Sequence, residues 1–153
     1  MPRSRREVDG SEALFRRLLV PLDMGVRGDR ALAVALSLAR QSRGRVVLVH
    51  VIQRVADTPV SELKGFYRRL VAKAQRKLAR AAQAFVRAGV PVRVEVRIGD
   101  PPREIVAIAA TTRADLIIMG SHRVRPGRRA DAGWGTTSYK VGILCAGPIL
   151  LVK

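Results

Sequence analysis

The residues best suited to chemistry lie in the last quarter of the chain, where a glycine leads into three consecutive hydroxyl residues. The run is Gly135, Thr136, Thr137 and Ser138, and a helical pattern begins inside it. The first N–H groups of a helix lack partners within the helix, and its dipole places positive charge there. Hydroxyl donors beside them favour a bound anion. The run therefore predicts a phosphate site, whereas a simple helix cap at Thr136 would explain only one hydroxyl.

Four other side chains could take part in chemistry, but each also has a simpler structural interpretation. Neither His50 nor His122 has a metal-ligand partner at suitable spacing, so no metal site is predicted. His122 follows a strand and can reach a phosphate, while His50 is expected to pack within its strand. Trp134 can stack on a base or pack onto its own domain. Cys145 has no acid or base close in sequence and is expected to be a small packed residue.

Short apolar runs alternate with helical patterns, which predicts repeated βα units around a mainly parallel sheet. Four runs are apolar throughout, as expected of strands that helices cover on both faces. The segment 92–98 instead alternates apolar and polar residues, so it should lie at a sheet edge with one face in solvent. The four apolar runs span residues 18–22, 46–51, 116–119 and 149–152.

The final apolar run bears on assembly. An open apolar edge strand invites pairing with another chain. We therefore predict a homodimer joined through this run. The alternative is that the basic N-terminal segment or a helix covers the edge. The residues concerned are Ile149, Leu150, Leu151 and Val152.

Four helices are predicted between the strands. Asp29 can cap the first, which Gly44 would end, and Asp100 can cap the third, with proline following at the first helical position. The fourth should span about 135–144. The second, about 61–87, has an inward apolar stripe and an outward basic row, which is either a solvated face or a docking face for phosphates. The stripe comprises Phe66, Leu70, Ala74, Leu78, Ala81 and Phe85, and the row comprises Arg69, Lys73, Arg76, Arg80 and Arg87.

The formal net charge is +17, and it comes mainly from arginine. Such a charge has two interpretations: the codon bias of a GC-rich genome, or a polyanionic partner such as nucleic acid or acidic lipid. A single cysteine excludes an intrachain disulfide and makes a reducing cytoplasm the expected location. No run approaches the ~20 apolar residues that span a bilayer. Residues 1–15 are expected to form a basic N-terminal tail.

The landmarks of the chain, in order, resemble those of the universal stress protein family. The resemblance covers residues 16–153, which we take as one domain. It implies an open five-stranded parallel sheet of order 3-2-1-4-5 with helices on both faces, of the Rossmann-like, adenine nucleotide alpha hydrolase-like type. It also implies a dimer along the last strand. The landmarks are Val20-Pro21-Leu22-Asp23, Val49-His50-Val51, Gly99-Asp100-Pro101, residues 114–122, Gly135-Thr136 and residues 148–152.

Family members that bind ATP share a glycine signature: Gly, two residues, Gly, nine residues, then Gly followed by Ser or Thr. Gly120 matches the first glycine, and Gly135 with Thr136 matches the last pair. Arg123 replaces the second glycine, and eleven residues separate it from Gly135. A side chain there either blocks the pocket or, as an arginine, neutralises the phosphates directly. Gly127 offers flexibility outside the signature spacing.

The resemblance implies ATP as ligand, with Mg²⁺ as an optional companion of its phosphates. Asp23 matches the aspartate that contacts the nucleoside, Val51 borders the adenine, and Thr137 and Ser138 continue the phosphate turn. The remaining expected contacts lie beside these positions. The complete nucleotide-binding set is Pro21, Leu22, Asp23, Val51, Met119, Gly120, His122, Arg123, Gly135, Thr136, Thr137 and Ser138.

The expected function is a dimeric, nucleotide-binding stress-response module without covalent catalysis. The chain lacks a P-loop and a Gly-x-Ser-x-Gly nucleophile elbow, and Asp23 is a lone acid at the end of the first strand. Slow, incidental ATP hydrolysis stays open. The alternative function is a basic interaction module that contacts nucleic acid or an acidic protein without binding nucleotide. Nucleic acid is the less favoured partner, because no sequence-reading motif is present.

Overall fold

The computed structural model describes residues 15–23, 25, 28–121 and 136–153. Strands and helices alternate through these residues, as the periodicity predicts. Helix and strand bounds agree with the expected ones to within about three residues. The elements are β1 (Arg17–Pro21), α1 (Gly28–Ser42), β2 (Arg45–Gln53), α2 (Lys64–Arg87), β3 (Val92–Gly99), α3 (Pro101–Thr111), β4 (Leu116–Gly120), α4 (Thr137–Leu144) and β5 (Ile149–Val152).

The five strands form one parallel sheet of order β3-β2-β1-β4-β5, which confirms the predicted fold class. β1 lies in the centre and pairs with β2 on one side and β4 on the other. The chain winds toward one edge through β2 and β3, and then toward the other edge through β4 and β5. The winding direction therefore reverses at β1 and β4.

Helices cover both faces of the sheet and create two hydrophobic layers. On one face α1 and α2 pack on the sheet, and on the other α3 and α4 do so. Residues of β1 alternate between the layers, with Leu18 and Val20 on the α1/α2 side and Leu19 on the α3/α4 side. The apolar character of the whole strand follows from this double burial.

Helix α1 lies against the sheet through small side chains. Ala31, Ala35 and Ala39, four residues apart, are buried. Asp29 is not the cap that the sequence predicts: α1 begins at Gly28, so Asp29 lies in the first turn, where a carboxylate still complements the helix dipole. At the other end the left-handed residue is Arg43, with φ 52°.

Gly44 follows this turn for a steric reason. Its N–H donates to the Ala39 carbonyl at 2.9 Å. A Cβ at this position would lie 2.7 Å from the Arg16 carbonyl oxygen, so only glycine fits without movement of the backbone. Gly44 therefore lies just after the end of α1, as predicted. It is required there because its backbone lies close to Arg16, the residue before β1, and not because it adopts a left-handed conformation.

The inward stripe of α2 differs from the predicted one at its first position. Phe66 is 43% exposed, whereas its neighbour Tyr67 is 2% exposed. Tyr67 is in phase with Ala74, Leu78 and Phe85, the other buried residues of the helix. Its hydroxyl accepts a hydrogen bond from the Val55 N–H at 2.9 Å, so the phenol is buried with its polar atom satisfied. Phe66 was therefore the wrong member of the pair.

Three further expectations from the sequence are confirmed. Asp100 caps α3 by accepting from the Arg103 N–H at 3.4 Å, and proline occupies the first helical position. β3 is an edge strand with Arg93 and Arg97 exposed. β5 forms the other edge, and its Leu150 and Leu151 are exposed.

Most of the expected N-terminal tail, residues 1–14, lies outside the described residues. Phe15 is described, and it packs against the hydrophobic layer on the α1/α2 side. Among the helices that the structure describes, none has the length and apolar character needed to cross a membrane.

Two phenylalanines of α2 test this packing. Phe85→Ala should lower the free energy of unfolding by about 3–5 kcal/mol. The phenyl ring is 1% exposed, so its removal leaves a cavity in the core. Phe66→Ala, the matched control on the same helix, should cost about 1 kcal/mol or less. Urea denaturation monitored by circular dichroism measures both values. Equal losses would contradict the assignment of Tyr67, and not Phe66, to the buried stripe.

Candidate functional site

A cavity of about 370 Å³ opens at the carboxyl edge of the sheet, where the winding direction reverses. In open parallel sheets this crevice is the usual ligand site, because the loops after adjacent strands diverge there. The ends of β1, β2 and β4, the first turn of α3 and the start of α4 surround the cavity. With Gly28 at the start of α1, six separate segments of the described chain contribute to it.

Nine of the twelve expected nucleotide-binding residues line this one cavity. His122, Arg123 and Gly135 are the other three, and they lie outside the described residues. The structure also adds lining residues that were not expected: Gly28, Val49, His50, Pro101 and Ile105. The nine expected residues are Pro21, Leu22, Asp23, Val51, Met119, Gly120, Thr136, Thr137 and Ser138.

One wall of the cavity is apolar. Val49 and Met119 belong to the α3/α4 hydrophobic layer, together with Ile105 from α3, and Val51 packs against it. Pro21 ends β1 beside them. Such a wall accepts a flat aromatic ring, whose faces need no hydrogen-bond partner. The wall exists because alternate residues of β2 and β4 point to the same face of the sheet.

Hydrogen bonds fix the backbone after β1. The Leu22 N–H donates to the Val49 carbonyl at 2.8 Å, which extends the pairing beyond the strand. His50 Nδ1 lies 2.7 Å from the Leu22 carbonyl oxygen. Because a carbonyl can only accept, Nδ1 must carry a proton and donate it. His50 thus holds the turn that presents Asp23 at the mouth of the cavity.

His50 is a residue of the candidate site that the sequence analysis did not predict. It was expected to pack within its strand, yet it is half-buried, lines the cavity and bonds to the adjacent strand. The available signal was its position: a histidine near the carboxyl end of a central strand lies at the ligand edge of the sheet. A residue that served only to pack at this position would not need the polar ring nitrogens of a histidine.

Asp23 is exposed and partly committed. Its Oδ1 accepts a hydrogen bond from the Gly25 N–H at 3.0 Å, an Asx-type turn that orients the carboxylate. The second oxygen leaves capacity to accept from a ligand hydroxyl. Among the described residues that line the cavity, Asp23 and His50 are the ionisable ones.

The opposite end of the cavity is formed by the start of α4. Thr136 is its N-cap: Oγ1 accepts from the Tyr139 N–H at 3.4 Å and lies 3.3 Å from the Ser138 Oγ. The capping interpretation of Thr136 is therefore correct as far as it goes. Thr137 and Ser138 occupy the first helical positions, whose N–H groups have no acceptor within a helix. Both also line the cavity.

Gly120 completes this end of the cavity. It is the last residue of β4 and pairs with Val152 of β5. The next residue continues that pairing, since the Ser121 N–H donates to the Val152 carbonyl at 2.8 Å. The two later positions of the glycine signature, Arg123 and Gly135 in this chain, fall outside the described residues.

No group of three or more histidine, cysteine, aspartate or glutamate side chains comes together among the described residues in a way that could hold a metal ion. Cys145 is half-buried against the α3/α4 layer, as expected of a packed residue. Trp134 and His122 lie outside the described residues. The described part of the cavity therefore offers an apolar wall, one carboxylate, and hydroxyl and N–H donors.

This combination on this fold matches a known family. The model of the universal stress protein family matches residues 14–153. The chain belongs to the universal stress protein family. Its landmarks and its five-stranded sheet agree with that membership.

Individual relatives extend the match across whole chains. A universal stress protein of Thermus aquaticus, encoded in the 3' region of QAH/OAS sulfhydrylase, is 30% identical over 147 residues, which are 92% of this chain and 100% of the relative. The structure of hypothetical protein MJ0577 is 25% identical and superimposes with a TM-score of 0.75, covering 92% of this chain and 96% of that one. A universal stress protein from Archaeoglobus fulgidus, solved in complex with dAMP, has the same fold at 20% identity, with a TM-score of 0.66 and coverage of 92% and 99%.

The role of His50 can be tested separately from any ligand. His50→Ala removes the donor to the Leu22 carbonyl and should destabilise the protein by roughly 1 kcal/mol. Amide hydrogen exchange at Leu22 should accelerate, because the extended pairing with Val49 loses its support. His50→Asn is the control, since its side-chain amide can donate from nearly the same place. If the alanine and asparagine variants exchange at the wild-type rate, His50 does not hold this turn.

Proposed function

We propose that this universal stress protein binds an adenine nucleotide, with ATP as the expected ligand, and acts as a stress-response regulatory module without covalent catalysis. One observation carries the proposal: a single cavity joins an apolar wall to the hydroxyl-rich start of α4 at the switch point of the sheet. Its volume of about 370 Å³ lies within the ~300–1,000 Å³ of typical ligand pockets. The cavity therefore fits a nucleoside with part of its phosphates.

The nucleoside end of the proposed site is the apolar wall. Val51 and Met119 would contact the base through dispersion and burial, which do not depend on the pattern of its polar atoms. Asp23 would accept a hydrogen bond from a ribose hydroxyl, through the oxygen that Gly25 does not engage. Because His50 fixes the backbone beside it, this carboxylate is in place before a ligand arrives.

The phosphate end of the proposed site is the first turn of α4. Thr137 and Ser138 would donate hydroxyl and backbone N–H groups to phosphate oxygens, supported by the helix dipole. Gly120 and Gly135 would permit close approach of the backbone. Arg123 would supply positive charge by bidentate contact, and Mg²⁺ would share the charge of the phosphates. The nucleotide itself would supply the negative charge of its triphosphate, which these groups would bind.

The described lining argues for binding without turnover. Hydrolysis needs a group that orients or deprotonates the attacking water near the terminal phosphate. Asp23 and His50 both lie on the β1/β2 side of the cavity, and the described residues at the α4 end are hydroxyls and glycine. The dAMP complex of the Archaeoglobus fulgidus protein supports an adenine nucleotide as the ligand class.

Isothermal titration calorimetry with ATP, ADP, AMP, cyclic AMP and adenosine tests the proposal. Saturating ATP at one hundred times its Kd should stabilise the fold by about 2.7 kcal/mol. The double variant Thr137→Val, Ser138→Ala should weaken ATP binding by roughly 10-fold or more, because hydrogen bonds to a charged group are lost. Adenosine affinity should not change, since its contacts lie at the opposite end.

Thr58→Val is the control, because Thr58 is a half-exposed hydroxyl residue that is absent from the described lining of the cavity. It should leave every affinity unchanged. Bound ATP should be recovered intact after prolonged incubation with excess protein, as assayed by chromatography. An unchanged melting temperature at millimolar concentrations of all five ligands would refute nucleotide binding. Rapid release of ADP would refute the non-catalytic role.

We also propose a homodimer joined through β5. This edge strand exposes Leu150 and Leu151, and Ile143 and Leu144 at the end of the preceding helix α4 are more than half exposed. Unpaired backbone groups next to an apolar patch favour pairing with a second copy of the chain. Ile149 and Val152 are half-buried within the chain and would frame the same contact.

The variant Leu150→Lys, Leu151→Lys should convert the dimer to a monomer, because burying two ammonium groups at an apolar contact is unfavourable. Analytical ultracentrifugation measures the mass directly. Val86→Lys is the control, since Val86 is an exposed apolar residue on α2, remote from β5. A wild-type protein that sediments as a monomer at micromolar concentration would contradict the proposal.

A further inference from the structure

Helix α2 has a charge composition that nucleotide binding does not use. Its 24 residues include eight lysines and arginines and no aspartate or glutamate. A surface helix normally mixes both signs, because opposite charges three or four residues apart stabilise it and like charges at that spacing destabilise it. The eight cations are Lys64, Arg68, Arg69, Lys73, Arg76, Lys77, Arg80 and Arg87.

Most of these cations share one side of the helix. The buried side carries Tyr67, Ala74, Leu78 and Phe85. At 100° per residue, six cations fall within a sector of about 100° that borders this side and faces away from the core. We call these six residues the basic stripe. They are Arg69, Lys73, Arg76, Lys77, Arg80 and Arg87, and all six are exposed.

The basic stripe also forms one wall of a groove. A cavity of about 540 Å³ lies between α2 and the N-terminal part of α1. Its floor is apolar, from Leu22, Leu32, Leu78 and Ala81. Four members of the stripe line its wall, namely Lys73, Arg76, Lys77 and Arg80.

Two carboxylates line the same groove, at the end formed by the β1–α1 turn. Asp29 lies in the first turn of α1, and Asp23 accepts a hydrogen bond from Gly25. At this end of the groove, Lys77 Nζ lies 3.5 Å from the Gly25 carbonyl oxygen. The groove is therefore acidic only at one end and basic along its length.

Four members of the stripe have no ion pair with a carboxylate of the described residues. The ion pairs between described residues join Arg17 to Asp115, Arg93 and Arg97 to Glu95, and Arg103 to Asp100. Within the described chain, none of Arg69, Lys73, Arg76 and Arg80 is in ion-pair contact with an acidic side chain. An external polyanion would both satisfy these groups and relieve their mutual repulsion.

We infer that the basic stripe and its groove bind the phosphodiester backbone of a nucleic acid. A row of cations that extends over about 27 Å of helix matches a continuous polyanion better than a single phosphate. Four of the six cations are arginines, whose planar guanidinium binds phosphate oxygens bidentately. The preferred form is a duplex, which presents more charge per length than a single strand.

Two observations favour nucleic acid over other anionic surfaces. No described aromatic side chain lines the groove, so the contact is made with backbone and does not depend on base stacking or sequence. From Arg69 to Arg87 the exposed side chains of this sector are charged, and the exposed apolar side chain of the same sector, Phe66, lies one turn before Arg69. An interfacial membrane helix would instead carry large apolar residues along the whole face that it inserts into lipid. The expected binding is therefore electrostatic and sequence-independent.

The inference does not rest on nucleotide binding. The groove lies on the α1/α2 face of the sheet, whereas the wall of the nucleotide cavity lies on the α3/α4 face. Among the described residues, the two cavities share Leu22, Asp23 and Gly28. Changes in the middle of the stripe should leave ATP affinity unchanged, so the two proposals can fail separately.

Fluorescence polarisation with a labelled random-sequence 20-base-pair DNA duplex tests the inference in the full-length protein. The log of the association constant should fall linearly with log salt between 50 and 300 mM KCl. The triple variant Arg69→Gln, Arg76→Gln, Arg80→Gln should reduce that slope by about 2.7. At 0.1 M salt its affinity should be weaker by more than about 100-fold, because three phosphate contacts are lost.

The control is the triple variant Arg93→Gln, Arg97→Gln, Arg103→Gln, which removes the same charge from elsewhere. Arg93 and Arg97 pair in register with Val47 and Val51 and so face the α3/α4 side of the sheet, away from the stripe. This variant should keep the wild-type slope to within about one unit. All substituted side chains point outward, so circular dichroism should confirm folding of both triples.

Three outcomes would overturn the inference. The first is no binding to the duplex at 50 mM salt. The second is equal weakening by both triples, which would mean that net charge and not the stripe attracts DNA. The third is stripe-dependent binding to vesicles with 30% phosphatidylserine, or to polyglutamate, that is tighter than binding to the duplex.

Discussion

The burial of β1 on both faces and its pairing along both edges is the constraint on which the rest of the structure depends. Leu18, Leu19 and Val20 are at most 1% exposed. A strand so placed needs a helical layer on each side, and it forces the chain to wind outward in two directions. The reversal leaves a crevice at its carboxyl end. The core and the candidate site therefore have one cause. The hydrogen bond from the Leu22 N–H to the Val49 carbonyl continues the pairing of β1 with β2 into the crevice.

Much of this arrangement could be predicted from the sequence, because the relevant physics is local. Continuous apolar runs mark strands buried on both faces, and the alternation of residues 92–98 marks an edge. Asp100 followed by proline caps α3 as expected. Nine expected site residues reach one cavity because parallel strands place their carboxyl ends at one edge, so a short motif after each strand is enough to locate them.

What escaped prediction depends on contacts between distant segments. Phe66 and Tyr67 are both large and aromatic, so their residue types do not decide which of them is buried. That depends on how α2 is rotated against the sheet and on the Val55 N–H, which donates a hydrogen bond to the Tyr67 hydroxyl. In the sequence His50 is indistinguishable from an ordinary strand residue, and its hydrogen bond to the Leu22 carbonyl is evident only in the structure. The need for glycine at position 44 comes from the Arg16 carbonyl on another segment. None of these distances is encoded in periodicity.

Hydrogen bonds fix the chain on both sides of residues 122–135. The stability of the fold can therefore be largely independent of the sequence between them. Ser121 is tied to β5 through the Val152 carbonyl, and Thr136 caps α4, so the connection starts and finishes at points that the core determines. Closing a connection costs entropy that rises only logarithmically with length, about 0.6 kcal/mol per doubling. A change in the number of residues between Ser121 and Thr136 should therefore cost the sheet little closure entropy, so this stretch can differ in length among proteins that share the same scaffold.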